Sequence, residues 1–199
     1  MESSFDSWDH ALDPDFFQTH QPLTLYRLAR ARYANLSGIG AALAPGRWNR
    51  SGQEAIYTST EMGVPLLERL VHTPKDLIPS NLALMKIRVS GIWKPHKNGL
   101  FNPNTRGGLW FYHSLADAKE EFQGASPMMF VDSLNSFGTI SFAVAVPSVI
   151  VPVWNVVLYP RVTGFWDHVS LESVEPFQFD PRLFPEDTPA ETAQEHIVS

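Results

Sequence analysis

The chain has 199 residues and no cysteine. This absence excludes disulfide bonds, thiolate metal ligands and cysteine nucleophiles, and it fits a reducing compartment without establishing one. Charged residues are also few, at 18%, and lysines and arginines form no continuous run. Together with a formal net charge of -6, this argues against a nucleic-acid binder, which needs a basic face.

A long uninterrupted hydrophobic segment is missing as well. The most apolar stretch, residues 140–153, is broken by two serines and two prolines and is too short to span a bilayer. The first ten residues, MESSFDSWDH, are acidic and lack the basic-then-apolar order of a secretory signal. Since 44% of the residues are hydrophobic, we expect a soluble, cytoplasmic protein with a real core and no membrane partner.

Several catalytic motifs are absent too. The seven histidines form no H-x-H or H-E-x-x-H pattern, so we expect no metal site. Neither a G-x-S-x-G elbow nor a Walker A motif occurs. Gly38-Ile39-Gly40 begins like a dinucleotide fingerprint, but Leu43 stands where the third glycine belongs. What remains is an enzyme without metal, thiol or serine triad, or a protein that is not an enzyme.

The elements that can be recognised are mostly short strands. Alternating or continuous apolar patterns predict strands at residues 23–29, 55–59, 84–89, 139–146, 149–158 and 168–174, and helices at 60–72 and 114–122. This mixture predicts the α+β class, with antiparallel sheets and a few helices. We expect an N-terminal arm over residues 1–22, one domain over 23–180, and a poorly ordered acidic tail over 181–199.

The predicted helix 60–72 carries a glutamate at the edge of an apolar face. Thr60 is a possible N-cap, and Pro65 is tolerated only in the first turn. A helical wheel groups four residues into one apolar arc: Val64, Leu67, Leu70 and Val71. Glu68 falls at the rim of this arc and Arg69 points away. A carboxylate beside apolar surface needs a partner or has a function, so Glu68 is either one half of a structural ion pair or a site residue.

The segment Gly46-Arg47-Trp48-Asn49 allows two interpretations. A glycine turn lets backbone approach a ligand, arginine grips phosphate with a bidentate fork, and tryptophan offers a stacking face. The same segment is typical of a β-turn with an anchored tryptophan. Arg27 is unusual, because it shares a strand face with the apolar Leu23 and Leu25, where a surface arginine is not expected unless it is paired. Tyr57 could belong to the core. Ser148 could be a turn residue or a hydroxyl aimed into a cleft.

Five segments in this order resemble the RES-domain family, the toxins of RES–Xre toxin–antitoxin pairs. They are Leu25-Tyr26-Arg27-Leu28, Gly46-Arg47-Trp48-Asn49 with Gly52, Ile56-Tyr57, Leu66-Leu67-Glu68-Arg69-Leu70, and Val146-Pro147-Ser148-Val149 with Asn155 and Pro160. The resemblance extends over about residues 23–171. It implies a fold like that of ADP-ribosyltransferases and an enzyme that consumes NAD by hydrolysis, phosphorolysis or transfer of ADP-ribose to a protein.

The resemblance also implies roles for individual residues. Glu68 and Arg27 would be catalytic, with Glu68 opposing the positive charge that develops on the ribose. The NAD-binding set would be Arg47, Tyr57, Ser148, Trp48 and Asn49. NAD is the expected substrate, an Xre-type antitoxin the expected partner, and a homodimer the expected state within the complex. The alternative is an inactive RES-like module that only binds a nucleotide or a partner.

Overall fold

The computed structural model describes residues 16–19, 22–73, 79–91, 93–95, 109–111, 142–148 and 150–184. Within these residues the strands are β1 (Leu23–Arg30), β2 (Ile56–Ser59), β3 (Leu82–Val89), β4 (Trp93–Pro95), β5 (Leu109–Phe111), β6 (Ala143–Pro147), β7 (Trp154–Leu158) and β8 (Val169–Phe177). The helices are α1 (Phe16–Thr19), α2 (Ile39–Leu43), α3 (Gly63–His72) and α4 (Phe165–His168). Short 3-10 turns occupy Ala31–Tyr33 and Pro181–Leu183.

The described strands form a single sheet in the order β4-β5-β6-β7-β2-β1-β3-β8. From β6 to β8 every neighbouring pair is antiparallel, which confirms the predicted α+β class with antiparallel pairing. The pairs β4–β5 and β5–β6 are parallel, a feature that the sequence pattern did not predict. Among the described helices, none is long and apolar enough to cross a membrane.

Alternation of side chains explains why the central strands form. On β3, Met85, Ile87 and Val89 are fully buried, while Lys86 is half-buried and Arg88 is exposed. The buried residues belong to a core on one face of the sheet that also contains the apolar side chains of β1, β2 and β7. A second apolar cluster contains the buried ring of Trp48 together with Val144, Val146 and Val157. The sheet is therefore buried on both faces near its centre, and this fixes its register.

The predicted strands agree with the structure to different degrees. Predicted strands 23–29, 55–59 and 84–89 correspond to β1, β2 and β3, and 168–174 corresponds to β8. The strand predicted at 149–158 begins only at Trp154, because residues 150–153 form a bend closed by the Ser148 amide donating to the Val153 carbonyl, 2.8 Å. The strand predicted at 139–146 begins at Ala143, after residues that lie outside the described part. The helix predicted at 114–122 lies wholly outside the described residues.

Helix α3 starts later than expected. Its N-cap is Met62, and Thr60 is not a cap, because its hydroxyl donates to the Trp154 carbonyl at 3.1 Å and ties the segment to β7. Pro65 does lie in the first turn, as the third helical residue, where its missing N–H leaves no carbonyl unsatisfied.

The predicted apolar arc of α3 is wrong in part. Val64 is buried, but Leu67 and Val71 are 41% and 66% exposed. The helix instead packs through Leu66 and Leu70, which contact the buried cluster that contains Phe179. The helix is thus rotated from the orientation that the wheel indicated, and this rotation decides where its charged residues lie.

Strands β1 and β2 separate soon after they meet. They are in register at one position, Tyr26 opposite Ser59, whereas β1 and β3 stay in register over the whole length of β1. The remainder of β1 therefore faces α2, α3 and the loop that follows α2, and a gap opens between the two strands.

Candidate active site

The gap between β1 and β2 forms a cleft of about 640 Å³. Strands β1 and β2 provide two of its walls, α3 a third, and the α2 segment with the following loop the fourth. Its polar lining consists of Arg27, Tyr57, Thr58, Glu68, Arg69 and His72. Three residues that the sequence analysis singled out, Arg27, Tyr57 and Glu68, are thus brought together from three separate elements.

Glu68 is half-buried and held by an amide. Its Oε1 atom accepts a hydrogen bond from Nδ2 of Asn155 on β7, at 2.9 Å. A carboxylate can only accept, so this contact fixes the orientation of the amide as well as that of the carboxylate. Within the described residues Glu68 has no ion pair with an arginine, so the interpretation as a structural salt bridge is not supported.

Tyr57 reaches the cleft from β2 and joins it to the loop after α2. Its hydroxyl accepts from the Trp48 amide and donates to Oδ1 of Asn49, each at 2.9 Å. Burial raises the pKa of Tyr57, while the Trp48 amide and the nearby charge of Arg47 oppose that rise. The phenol is therefore neutral at physiological pH, and Tyr57 lines the cleft in this form.

Trp48 and Asn49 do not line the cleft but support the loop that forms one of its walls. Asn49 is fully buried, and its Nδ2 donates to the carbonyls of Ala41, Arg50 and Gln53 at 2.8 to 3.0 Å. The Trp48 ring is buried in the second apolar cluster, and its carbonyl accepts from the Tyr159 hydroxyl at 2.8 Å. Both side chains thus position the loop, and in this conformation neither ring nor amide faces the cleft.

Arg27 and Arg69 bring two guanidinium groups into the cleft. Arg27 Nη1 donates to the Asn35 carbonyl at 3.0 Å. Burial lowers the pKa of Arg27, and the charge of Arg69 lowers it further. The pKa of Arg69 is lowered by burial and then by the charge of Arg30. The expectation that Arg69 points away is wrong, because the rotation of α3 turns it toward Arg27.

Arg47 and Ser148 take more peripheral positions. Arg47 is exposed in the loop that forms the lip of the cleft, close enough to Tyr57 for its charge to act on the phenol. Ser148 is buried, and its Oγ accepts from the Ile150 amide at 3.2 Å, as a turn-forming serine does. The cleft lining does not include Ser148. Contact of either residue with a ligand remains a prediction.

Two residues beside Glu68 were missed as candidates. Asn155 was noted only as part of a motif, although its amide holds the carboxylate, and His72 lies one helical turn after Glu68 and lines the same cleft. The spacing of four residues between Glu68 and His72 was visible in the sequence. No group of three or more potential metal ligands occurs among the residues that the structure describes.

Comparison with known proteins shows the family to which the chain belongs. Residues 24–180 match the RES domain. The chain belongs to the RES domain family. A relative named Toxin Res, from Yersinia enterocolitica, is 31% identical over 166 residues, which is 81% of this chain and 99% of the relative. The resemblance that the five segments carried is thereby confirmed.

Two further matches bear on this RES protein. A relative from Sphingobium sp., named Prs ADP-ribosylating toxin, is 36% identical over 55 residues, covering 28% of this chain and 34% of the relative. A chain of the crystal structure of the M. tuberculosis MbcT–MbcA toxin–antitoxin complex superposes with a TM-score of 0.54 at 17% identity. That match covers 81% of this chain and 86% of the other, and it shows that the two share a fold.

Proposed function

We propose that this RES protein is the toxin of a toxin–antitoxin pair and that it breaks the bond between nicotinamide and ribose in NAD. The names of its relatives, Toxin Res and Prs ADP-ribosylating toxin, support the biological role and the substrate class. One observation carries the chemistry: the Glu68 carboxylate is held by Asn155 in a cleft that arginines also line.

Glu68 acts on the charge that develops during bond breaking. As the glycosidic C–N bond lengthens, its electron pair moves to the pyridinium nitrogen and nicotinamide leaves neutral. The ribose carbon acquires positive charge, as in other oxocarbenium-like transition states. A fixed carboxylate near that carbon stabilises the charge more in the transition state than in the ground state, and so it accelerates the step.

The other cleft residues bind the substrate around this carboxylate. Arg27 faces the cleft beside Glu68 and holds ribose or phosphate oxygens, and Tyr57 presents its ring to the nicotinamide. Arg47, exposed in the loop at the lip of the cleft, holds phosphate or ribose oxygens of the dinucleotide. Trp48 and Asn49 act indirectly by holding Tyr57, and Ser148 stabilises the turn after β6. No metal takes part in this scheme.

The ribosyl cation must then be captured by a nucleophile. Water would give ADP-ribose. Inorganic phosphate would give ADP-ribose with a phosphate on the ribose carbon that carried nicotinamide, and a protein side chain would give an ADP-ribosylated protein. Incubation with labelled NAD, first alone, then with phosphate, then with candidate acceptor proteins, separates these three outcomes by the product formed.

An active toxin of this kind needs restraint in its host cell. We propose an Xre-type antitoxin as the partner, in a complex that contains a dimer of the toxin. The arginine-lined cleft in a chain of net charge -6 would attract an acidic segment of that partner. Inhibition would then weaken as NAD rises. Inhibition that is insensitive to NAD, with unchanged binding to the Arg27→Ala variant, would contradict occlusion of this cleft.

The direct test of the activity is release of nicotinamide from NAD by the purified protein. The proposed function requires release in proportion to protein concentration. A protein that binds NAD and releases no nicotinamide would instead be the inactive binding module.

A further inference from the structure

A second cavity of about 580 Å³ adjoins the cleft. The two share Arg27, Leu28, Gly40 and Arg69, so these residues form the boundary between them. The second cavity extends from this boundary along the end of β1 and the 3-10 turn Ala31–Tyr33. Of the catalytic and NAD-binding residues that the family resemblance implies, only Arg27 lines this cavity.

The second cavity carries concentrated positive charge. Arg27, Arg30, Arg32 and Arg69 line it, and no carboxylate is among its lining residues in the described part of the chain. Two ion pairs of described residues, Arg161 with Glu54 and Arg182 with Asp180, involve none of these four arginines. The positive charges of these arginines repel one another, although the protein as a whole has a net charge of -6. A bound anion would offset this repulsion.

One end of this cavity also offers an aromatic surface. The Tyr33 ring is 53% exposed, and the Arg32 guanidinium lies 4.6 Å from its centroid. A planar base can stack on a tyrosine ring or on a guanidinium plane, and such stacking tolerates different bases. Charge at the boundary and a stacking surface at the far end together match a nucleotide with its phosphates directed toward the cleft.

We propose that the second cavity binds the adenosine diphosphate half of NAD, with the pyrophosphate on Arg27, Arg69 and Arg30 and the adenine against Tyr33. The proposal deepens the proposed function and rests on it for the identity of the whole substrate. The nicotinamide ribose then lies in the cleft beside Glu68, and the dinucleotide crosses the boundary at its pyrophosphate. Arginine forks suit this place because they can engage two phosphate oxygens at once.

Direct binding of ADP tests the cavity independently of catalysis. Calorimetry with ADP should show saturable binding to the wild-type protein. Arg69→Gln and Arg30→Gln should each weaken the affinity by about tenfold, since one charge-assisted hydrogen bond contributes roughly that much. Arg182→Gln removes an equal charge from an exposed site paired with Asp180 and is the matched control. Failure of ADP to bind, or equal losses in all three variants, would overturn the proposal.

Substitution of Tyr33 tests whether the second cavity recognises the base of a nucleotide or only attracts an anion. Wild-type protein should bind ADP more tightly than inorganic pyrophosphate, and Tyr33→Ala should reduce that preference while leaving pyrophosphate affinity unchanged. Stacking of a base contributes about 1–3 kcal/mol, so the preference should fall by about fivefold or more. An unchanged preference would show that the adenine is not held there.

Kinetics distinguishes failure of this proposal from failure of the proposed function. With NAD, Arg30→Gln and Tyr33→Ala should raise KM and leave kcat near wild type. With nicotinamide mononucleotide, which lacks the adenosine monophosphate half, Tyr33→Ala should leave both constants unchanged. A variant that lowers kcat on both substrates alike would contradict a role confined to binding. Absence of nicotinamide release from wild type would refute the proposed function, while ADP binding would still decide the cavity.

Discussion

Asn155 and Glu68 show how much of the site depends on single contacts. Glu68 lies on α3 and Asn155 on β7, 87 residues apart in the chain, and one hydrogen bond of 2.9 Å joins them. Asn155 is itself fixed by its strand register, opposite Ser59 on β2 and Val146 on β6. The carboxylate is therefore oriented by the centre of the sheet and not by its own helix alone.

Replacing Asn155 by alanine should reduce turnover of NAD with little change in fold. The variant loses the donor that holds the Glu68 carboxylate, and we expect kcat to fall by about tenfold, the value of one hydrogen bond to a charged group. KM should change less, because Asn155 positions the carboxylate and does not line the cleft. Steady-state kinetics and a melting curve check this, and wild-type kcat at unchanged Tm would contradict the positioning role.

Individual residues differ in how far the sequence could predict them. Glu68, Tyr57 and Arg27 were found because motifs in order carried a family resemblance, and the structure places all three in one cleft. Arg69 and Asn155 were missed for a physical reason. The position of Arg69 depends on the rotation of α3, and the contact of Asn155 depends on which strand lies beside β2, and neither is a local property of the chain.

The loop after α2 is the element that holds Tyr57 in place. Gly46 lies so close to the phenol that a Cβ atom added there would be 2.5 Å from the Tyr57 hydroxyl oxygen. Its amide also donates to Oδ1 of Asn49 at 2.9 Å, the same oxygen that accepts from Tyr57. Glycine is therefore required by close approach at this position, and the loop and β2 behave as one unit.

Substituting Gly46 by alanine should displace this unit. The added methyl group forces Tyr57 or the loop to move, which we expect to destabilise the protein by about 1–3 kcal/mol, as overpacking does. NAD turnover should fall together with stability, because Tyr57 lines the cleft. Gly63→Ala is the control, since a Cβ at this first residue of α3 would meet nothing within 4 Å. Equal stability of the two variants in urea would show that the contact with Tyr57 is unimportant.

Helix α3 illustrates the limit of periodicity at the scale of an element. The apolar residues predicted a helix correctly, but the wheel gave Leu67 and Val71 to the core, and they are exposed. The helix contacts β1 and β2, and its Leu66 and Leu70 pack on the cluster that contains Leu28 of β1 and Phe179. Periodicity shows which residues share a face of the helix, but the surface on which the helix packs decides which face is buried. The sequence therefore predicted the helix and misjudged its orientation.

At the scale of the whole molecule, two tyrosines lie near the centre of the sheet, Tyr159 buried and Tyr57 half-buried. Burial raises the pKa of Tyr159, whose hydroxyl donates to the Trp48 carbonyl, and burial also raises that of Tyr57. Both groups are acids that stay protonated in the folded protein at a pH where the unfolded chain ionises. Their contribution to stability is therefore complete below the ordinary tyrosine value of 10.0 and declines as pH rises through and beyond it.

The free energy of unfolding should accordingly fall steeply above about pH 10, the unperturbed tyrosine value. Urea titrations at intervals from pH 8 to pH 11 measure this slope. Tyr159→Phe should be less stable at pH 8, because it loses a buried hydrogen bond, but its stability should decline less steeply with pH. Tyr33→Phe removes an exposed hydroxyl and serves as the control. A slope for Tyr159→Phe as steep as that of wild type would contradict the assignment.

The fold as a whole was predictable where side chains alternate. Strands β1 and β3 were found because buried residues alternate with half-buried or exposed ones over the first half of β1 and the second half of β3. The antiparallel α+β class followed from many short strands. The order of the strands and the parallel pairing of β4 and β5 were not predicted, because β4 and β5 are three residues each and carry no pattern of their own. The separation of β1 from β2, which creates the cleft, is a property of the assembled sheet.

The central claim is that Glu68 in this cleft drives cleavage of NAD, and nicotinamide release by Glu68→Gln tests it most directly. The substitution keeps the shape of the side chain and removes its charge. Wild type and the exposed control Glu172→Gln should release nicotinamide at equal rates. The Glu68→Gln protein should be as stable and slower by about a hundredfold or more, the usual loss for one preorganised electrostatic contact. Wild-type turnover by a folded Glu68→Gln protein would contradict the account.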